Sequence, residues 1–465
     1  MLLTAIIVYL AITVGIGIWS SRLVKNSGDF VLAGRSLPLF LSASALFATW
    51  FGSETIFGAS SVYLEEGLLG VIEDPFGGAL CLILFGAFYL KPMYRMNVLT
   101  IGDVFGRIFG RKVELTASIF MIPAYFGYVA AQLVALSLVL GAVTDLSLLE
   151  GILIAAGVVV LYTFLGGMWA ISITDFIQTT VIVIGLLWVA IMVAKQAGGF
   201  TAVIDQAPEG SFRFIPDANP TAWLNYLGAW MVLGLGSIPS QDIYQRVMSA
   251  KSQKVAVQST YLAGIFYLSF GLLPLFIALG ARVLYPELSL DNNQMLLPRM
   301  ILEHGGLPIQ IVFFGALISA IMSTTSSGLL APSAIISENI IKPYFGQNLS
   351  DKHFLWILRI NVVLVAIIAT IMASWKSNIY DLVAGASILM LVSLFVPLTA
   401  GFYWKKASRG GAFLSMIAGM LTYLFMNFIP SDVAAHLFGL AGSILGMVIG
   451  SFLFPKSKNQ SHELS

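Results

Sequence analysis

The sequence contains little charge and few of the side chains that hold soft metals. Only 10% of its 465 residues are charged, whereas 58% are hydrophobic and the mean hydropathy is +0.91. A soluble domain carries roughly 25% charged residues, so this composition excludes an ordinary soluble protein and predicts one that crosses a membrane many times. One cysteine and four histidines exclude a disulfide framework and offer no haem or redox centre that we can build.

Catalytic patterns are also missing. No apolar stretch holds a nucleophile beside a base, or a metal-ligand spacing such as H-E-x-x-H, so we predict no enzyme and no cofactor. The net charge of +1 indicates no charged macromolecular partner, and we predict no binding of nucleic acid. A channel needs a continuous polar pathway, whereas polar residues here interrupt the apolar stretches only near their middles. The classes that remain are a carrier and a sensor in a lipid bilayer.

Thirteen apolar stretches are long enough to cross a bilayer. They lie near residues 2–20, 38–63, 68–90, 115–143, 148–167, 171–194, 221–245, 255–281, 309–340, 356–374, 380–403, 411–429 and 434–454. A membrane helix needs about 20 residues, so the longer stretches are expected to tilt or to be interrupted. Positive residues follow the first stretch rather than precede it, which indicates a retained helix and not a cleaved signal peptide. We predict one all-α polytopic transmembrane domain over residues 1–465.

The distribution of positive residues orients the chain. With the N-terminus outside, 19 of the 24 lysines and arginines fall in inner segments and five in outer ones. The opposite orientation would reverse that ratio and violate the rule that inner loops are positive. We therefore predict a multi-pass protein of the cell membrane, with its N-terminus outside and its C-terminus in the cytoplasm. Arg246 is then expected at the inner edge of the seventh stretch.

Two of the apolar stretches are interrupted at matching places. The second breaks at residues 50–54 (WFGSE), and the seventh breaks at residues 234–239 (GLGSIP). Glycine and proline there free backbone groups, which must find a partner or a cavity in lipid. The stretches lie five apart and so run in opposite directions, as an inverted five-plus-five repeat requires, although kinks of packing origin are the alternative. The predicted parts are an extra helix at 2–20, a first repeat at 38–194, a second repeat at 221–403 and C-terminal helices at 411–454.

The ninth stretch carries five consecutive hydroxyls near its middle, from Ser323, Thr324, Thr325, Ser326 and Ser327. A membrane helix tolerates a single serine or threonine easily, because the hydroxyl can bond back to its own backbone. Five in a row form a cluster of hard, neutral oxygens that suits a small hard cation. A hydroxyl-rich contact between two helices is the alternative.

Four segments carry a resemblance to a known family. They are FVLAGRSLPL at 30–39, TFLGGMWAISITDFIQ at 163–178, GSIPSQDIYQRVMSAK at 236–251 and AIMSTTSSGLL at 320–330. Through these segments the chain resembles the sodium/solute symporter family, which includes sodium-coupled proline, glucose, sialic acid and choline transporters. The first and third segments are most similar to the high-affinity choline transporter branch. The resemblance implies a LeuT-like fold, with a discontinuous first helix in each repeat, and sodium as the coupling ion.

The resemblance also implies two sets of sodium ligands. The common site would use the backbone carbonyls of Ala48, Phe51 and Ala320. It would add the side-chain hydroxyls of Ser323 and Thr324. The second site, found in some members, would use Asp175, Ser323, Ser326 and Ser327. A carboxylate inside a membrane is costly and generally functional, although a cap at the cytoplasmic end of its helix is the alternative for Asp175. The number of sodium ions per cycle stays open.

The candidates for substrate contact surround the two breaks. They are Trp50, Ser53, Glu54, Tyr128, Ser237 and Gln241. No lysine or arginine is expected at mid-depth to meet a carboxylate, and the eighth and eleventh stretches lack the lysine and the amide associated with sugar transport in the family. An amine or zwitterion is therefore expected rather than a sugar. The alternatives are that Trp50 is core packing and that Glu54 bonds a freed backbone amide.

An aromatic box for a quaternary ammonium is incomplete in the sequence, so we do not expect a choline carrier. Ser240 and Gln241 follow the break where the choline branch has a tryptophan, and Gly78 lies where an aromatic residue is expected. Phe57 and Phe126 are close to the proposed site and are candidates for aromatic gates.

We therefore expect a sodium-coupled symporter that imports a small polar organic solute by alternating access. A proton-coupled carrier of the same fold is one alternative, and a membrane sensor is another, disfavoured because only 11 residues follow Phe454. Gly442, Gly446 and Gly450 form a small-residue face, and we favour packing within the chain over a dimer interface. The expected partners are the solute, sodium ions and the lipid bilayer, and the expected state is a monomer or a weak homo-oligomer.

Overall fold

The computed structural model describes residues 1–144, 146–286, 293–345, 349–375 and 378–456. In these ranges the chain is helical apart from turns and connections, as the apolar composition predicts. Backbone groups inside a bilayer have no water to bond, and a helix satisfies them within one segment. Across the described ranges, only a single bridge between Leu37 and Ala250 pairs extended residues.

The described residues of the first half of the chain form ten α-helices. They are α1 (Leu2–Ser20), α2 (Ser27–Leu32), α3 (Leu39–Trp50), α4 (Ala59–Glu66), α5 (Gly78–Leu84), α6 (Leu90–Met96), α7 (Ile101–Phe109), α8 (Arg111–Val143), α9 (Leu148–Gln196) and α10 (Phe200–Asp205). A π-helical turn at Glu54–Gly58 leads into α4, and another at Phe85–Tyr89 joins α5 to α6.

The part of the second half that the structure describes forms eleven more. They are α11 (Pro220–Gly236), α12 (Gln241–Ser249), α13 (Gln253–Leu284), α14 (Leu296–His304), α15 (Leu307–Ile335), α16 (Lys342–Phe345), α17 (Asp351–Ala373), α18 (Ile379–Met390), α19 (Val396–Tyr403), α20 (Arg409–Met426) and α21 (Ala435–Leu453). π-Helical turns at Ile336–Ile341 and Leu391–Phe395 carry α15 into α16 and α18 into α19.

Both predicted breaks are present. Helix α3 ends at Trp50, and Phe51 leaves the helical conformation with φ −83° and ψ 72° before the turn at Glu54–Gly58 begins. Helix α11 ends at Gly236, and α12 begins only at Gln241. The helix is therefore interrupted at both of the places where we expect a break in an inverted repeat.

Helix α9 bends sharply at Gly167. This glycine has φ 50° and ψ −141°, which separates α9 into two arms that correspond to the predicted stretches at 148–167 and 171–194. A Cβ atom at this position would lie 2.5 Å from the carbonyl oxygen of Phe30, closer than real side chains approach. Glycine is required there both by the positive φ and by the close contact with α2.

Ten helices within the described ranges are long and apolar enough to cross a membrane. The number is lower than thirteen because the two arms of α9 follow each other across the kink at Gly167, without a connecting loop, and make up a single helix. In addition, α3, α11 and α12 are the separate pieces of broken helices and have 12, 17 and 9 residues. The all-helical architecture is confirmed, while the count of thirteen crossings and the bounds of the repeats stay predictions.

The small-residue face of α21 packs within the chain, against α20. A Cβ atom at Gly446 would lie 2.7 Å from the carbonyl oxygen of Leu414, and one at Gly450 would lie 2.8 Å from the carbonyl oxygen of Gly410. The two helix backbones are thus in contact, as the spacing of small residues predicts. This face is used inside the monomer.

The contact between α20 and α21 generates a stability prediction. We expect Gly446→Ala to lower the free energy of unfolding by about 1–3 kcal/mol, because the added methyl group overpacks the interface. The matched control is Gly157→Ala on α9, where no atom lies within 4 Å of the added Cβ and where alanine favours the helix. The measurement is the apparent melting temperature in detergent. Equal melting temperatures for the two variants would contradict the packing described here.

Candidate functional site

Helix α15 runs through the centre of the bundle and packs against α3, α8 and α9. All of its residues from 316 to 335 are buried. A hydroxyl-rich helix in this position cannot send its polar atoms to water, so each must find a partner in the protein. The partners of the hydroxyl cluster define the site.

The residues of the predicted common sodium site meet where α15 crosses the break in α3. Thr324 Oγ1 donates to the Ala48 carbonyl over 3.2 Å, and Ser323 Oγ lies 2.9 Å from the same oxygen. Three oxygens therefore lie within reach of one small cation, for which oxygen ligands are suited. Phe51 at the break and Ala320, one turn before Ser323 on α15, are both fully buried. Coordination by the Phe51 and Ala320 carbonyls stays a prediction.

The next two carbonyls of α3 also receive hydroxyls from other helices. Tyr128 on α8 donates to the Thr49 carbonyl over 2.9 Å, and Tyr267 on α13 donates to the Trp50 carbonyl over 2.9 Å. These carbonyls lie in the last turn of α3, where no further helical amides follow to bond them. Hydroxyls on α8, α13 and α15 thus hold the open end of α3 from three sides.

The amide side of the same break is held by Gln132 on α8. Gln132 Oε1 accepts the Ser53 amide over 3.0 Å, and Gln132 Nε2 donates to Glu54 Oε2 over 2.7 Å. A Cβ atom at Gly52 would lie 2.6 Å from Glu54 Oε2 and 2.7 Å from Thr324 Oγ1, so only glycine fits between them. We did not select Gln132 from the sequence, although an amide within the apolar run of α8 is a signal that could have identified it.

The residues of the predicted second sodium site also lie together, but beside an arginine. Asp175 Oδ1 accepts the Ser323 hydroxyl over 2.5 Å, so Asp175 contacts α15 and is not a cap at the end of α9. Arg246 donates to Ser327 Oγ, and its Nη2 lies 3.7 Å from Asp175 Oδ2. Ser326 donates to the carbonyl of Ser323 on its own helix. Whether sodium binds at this second set stays a prediction.

The expectation that Arg246 lies at the inner edge of the bundle is wrong. Its side chain is fully buried, and it is among the largest side chains with almost no exposure. Helix α12 begins after the break and packs against α3 and α15, which carries the guanidinium inward. The residue pattern around Arg246 does not show that the chain turns inward after α11 ends at Gly236, so this burial could not be predicted from it.

A small cavity with a volume of about 30 Å³ lies beside the two breaks. Two carboxylates and four aromatic rings are among the residues that line it. These six residues are Glu54, Asp242, Trp50, Tyr125, Tyr128 and Tyr267. Ser237, Ser240, Ser387 and apolar residues of α11 and α18 complete the wall, and no lysine or arginine is among the lining residues.

Four of the six predicted substrate residues line this cavity, namely Trp50, Glu54, Tyr128 and Ser237. Ser53 and Gln241 do not. Gln241 Oε1 accepts the amide of Ile101 over 2.7 Å, so its side chain connects α12 to α7. Phe57 is buried and Phe126 is half-buried, and neither is among the lining residues, so their role as gates stays a prediction.

The cavity contains more aromatic residues than the sequence analysis predicted. Tyr125 lies one turn before Tyr128 on α8, a spacing from which it could have been identified, and its hydroxyl donates to Asp242 Oδ1 over 2.9 Å. Tyr267 on α13 had no comparable signal. At Gly78, where an aromatic residue was expected, a Cβ atom would lie 2.8 Å from the ring of Tyr267, so the absence of a side chain makes room for that ring.

Comparisons with known proteins find relatives along most of the chain. The model of the sodium:solute symporter family matches residues 30–419. The human high affinity choline transporter 1 is 30% identical over 452 residues, which cover 91% of this chain and 76% of the human protein. The sodium/glucose cotransporter of Vibrio parahaemolyticus and the sodium/proline symporter of Escherichia coli are each 26% identical, cover 91% of this chain, and are themselves covered over 84% and 87%.

Two solved structures share the fold. A Na+-coupled sialic acid symporter in a substrate-bound outward-open state superposes with a TM-score of 0.86 at 20% identity, over 98% of each chain. A nucleobase-cation-symport-1 family transporter in a closed conformation gives 0.64 at 15% identity, over 93% of this chain and 97% of the other. The predicted all-α, LeuT-like architecture is therefore confirmed, and the chain belongs to the sodium:solute symporter family.

Proposed function

We propose that this protein imports a small organic amine together with sodium, by alternating access across the cell membrane. The observation that carries the proposal is the cavity beside the two breaks, lined by two carboxylates and four aromatic rings. A positively charged amine would meet both an anionic partner and the faces of aromatic rings there. The relatives named as choline transporters support an amine; they are 26–31% identical to this chain, and the glucose and proline carriers are each 26% identical.

Neither carboxylate of the cavity has a cationic partner of its own. Glu54 accepts a neutral amide from Gln132, and Asp242 accepts a neutral hydroxyl from Tyr125. Among the described residues, neither of them forms an ion pair. A carboxylate inside a membrane bundle is expensive unless it serves a charged or polar ligand. A cationic amine supplies the missing charge.

The position of the proposed sodium site, formed by Ala48, Ser323 and Thr324, suggests how the ion and the amine would be coupled. The Ala48 carbonyl lies two residues before Trp50 on the same helix. On the other side of the break, a Cβ atom added at Gly52 would lie only 2.7 Å from Thr324 Oγ1, so this hydroxyl is next to the backbone there. An ion bound between α3 and α15 would hold the end of α3, and with it the ring of Trp50 in the cavity wall. Each ligand then favours the conformation that the other needs, which is the thermodynamic requirement for coupling.

The energy available suits an amine at low external concentration. One inward charge gains about 2.3 kcal/mol per 100 mV, and a tenfold sodium gradient adds roughly 1.4 kcal/mol. Because a cationic amine brings its own charge inward, one sodium ion and one amine together provide about 6 kcal/mol at 100 mV. That energy corresponds to roughly four decades of accumulation.

We propose the N-terminus outside and the C-terminus in the cytoplasm, because the distribution of positive residues favours this orientation.

The proposal is tested by uptake into proteoliposomes. Labelled choline, proline and glucose are presented with an inward sodium gradient and, separately, with an equal potassium gradient. We expect sodium-dependent uptake of choline or of another cationic amine that competes with it, and none of glucose. Uptake driven by an inward proton gradient without sodium would contradict sodium coupling and favour the proton-coupled carrier. Sodium-dependent uptake of glucose would contradict the amine.

The proposed sodium site leads to a prediction about Ser323. We expect sodium to raise the melting temperature of the wild-type protein relative to potassium, because a ligand at 100 times its dissociation constant stabilises by about 2.7 kcal/mol. Ser323→Ala removes a hydroxyl from the cluster and is expected to abolish the difference between the two salts. The control is Ser333→Ala, which removes a hydroxyl that bonds only to the Leu329 carbonyl of its own helix. A sodium effect that survives in Ser323→Ala would refute the assignment.

The cavity generates a prediction about Glu54. We expect Glu54→Gln to keep the hydrogen bond to Gln132 but to lose the charge, so the KM for a cationic amine should rise about tenfold or more while the protein stays folded. The control is Glu150→Gln, which neutralises an exposed carboxylate in the first turn of α9. Sodium-dependent uptake measured over a range of amine concentrations separates KM from the maximal rate. An unchanged KM would place the amine elsewhere.

A further inference from the structure

Arg246 contacts three other helices, and a carbonyl of its own helix, from a fully buried position. Its Nε donates to the Ala45 carbonyl of α3 over 3.1 Å, and its Nη1 donates to the Asp242 carbonyl of α12 over 3.3 Å. Its Nη2 donates to Ser327 Oγ of α15 and lies 3.7 Å from Asp175 Oδ2 of α9. A guanidinium is always charged, so burying it requires an anion and well-placed acceptors, and this site supplies both.

The anion and one of the acceptors belong to the set predicted for a second sodium ion. Asp175 Oδ1 is bonded by Ser323, while Asp175 Oδ2 accepts no hydrogen bond and faces the guanidinium. The Ser327 hydroxyl, a second member of the set, is already bonded to Arg246. The carboxylate therefore has one positive charge beside it before any ion enters.

We propose that the Arg246 guanidinium is the resident counter-cation of the Asp175 site, and that the protein therefore binds a single sodium ion, between Ala48, Ser323 and Thr324. A second sodium ion would have to share one carboxylate with a guanidinium that cannot lose its proton. Two like charges in so small and dry a space repel strongly, and only one of them can be neutralised by Asp175. The inference rests on the proposed function in that it takes sodium as the coupling ion.

The experiment counts sodium ions on the purified protein. Equilibrium binding of radioactive sodium in detergent gives the number of ions per protein and the Hill coefficient. We expect one ion and a Hill coefficient of 1 for the wild type. Arg246→Gln leaves Asp175 without a counter-charge, and we expect this variant to bind a second ion, with two equivalents per protein.

Two matched variants test whether charge is the cause. Arg246→Lys keeps a cation at the site and is expected to bind one ion, like the wild type. The double variant Asp175→Asn with Arg246→Gln removes both charges and is also expected to bind one ion. If Arg246→Gln does not fold, the count for the wild type and for Arg246→Lys decides the question.

The outcomes are separable. Two ions on the wild-type protein, one of which is lost in Asp175→Asn, would overturn the inference and leave the proposed function intact. One ion on a folded Arg246→Gln protein would also overturn it, since the carboxylate would then need no counter-cation. Failure of the proposed function would instead appear as no sodium bound to any of the proteins, and the inference would fall with it.

Discussion

The structure depends on how the open end of α3 is satisfied away from water. Three successive carbonyls, those of Ala48, Thr49 and Trp50, receive hydroxyls from α15, α8 and α13. Inside a membrane bundle each of these groups would cost several kcal/mol without a partner, so the three helices are held around the break by necessity. The site therefore forms where the helix is interrupted, because only there are backbone oxygens free to serve a ligand.

The same contacts bring the proposed ion site and the cavity to one place. Ala48 belongs to the proposed sodium site, and Trp50, two residues further on, belongs to the cavity wall. Glu54 follows on the other side of the break, where Gln132 bonds both its carboxylate and the Ser53 amide. If ion and solute bind as we propose, a change in the occupancy of one site would alter the partners of the backbone that builds the other. Coupling between ion and solute would then follow from this shared segment and would need no long pathway through the protein.

Charge is distributed within the bundle so that one buried cation meets one buried anion. Arg246 and Asp175 neutralise each other between α9, α12 and α15, whereas Glu54 and Asp242 in the cavity have only neutral partners. The contrast separates a structural charge pair from carboxylates that are available to a ligand. Recognition of a positively charged solute would follow from that asymmetry, with the aromatic rings adding cation–π contact.

The sequence by itself determined the membrane class, the two breaks and the hydroxyl helix, because these depend on hydropathy and on local residues such as Gly52 and Pro239. It also placed Ser323, Asp175 and Glu54 at the site, since polar groups in apolar stretches must serve a purpose. Only the tertiary structure decided that Arg246 is buried beside Asp175, that Gln132 bonds the break, and that Tyr267 completes the cavity wall. These three residues lie far along the chain from their partners, and their direction depends on how α8, α12 and α13 pack, which no local pattern encodes.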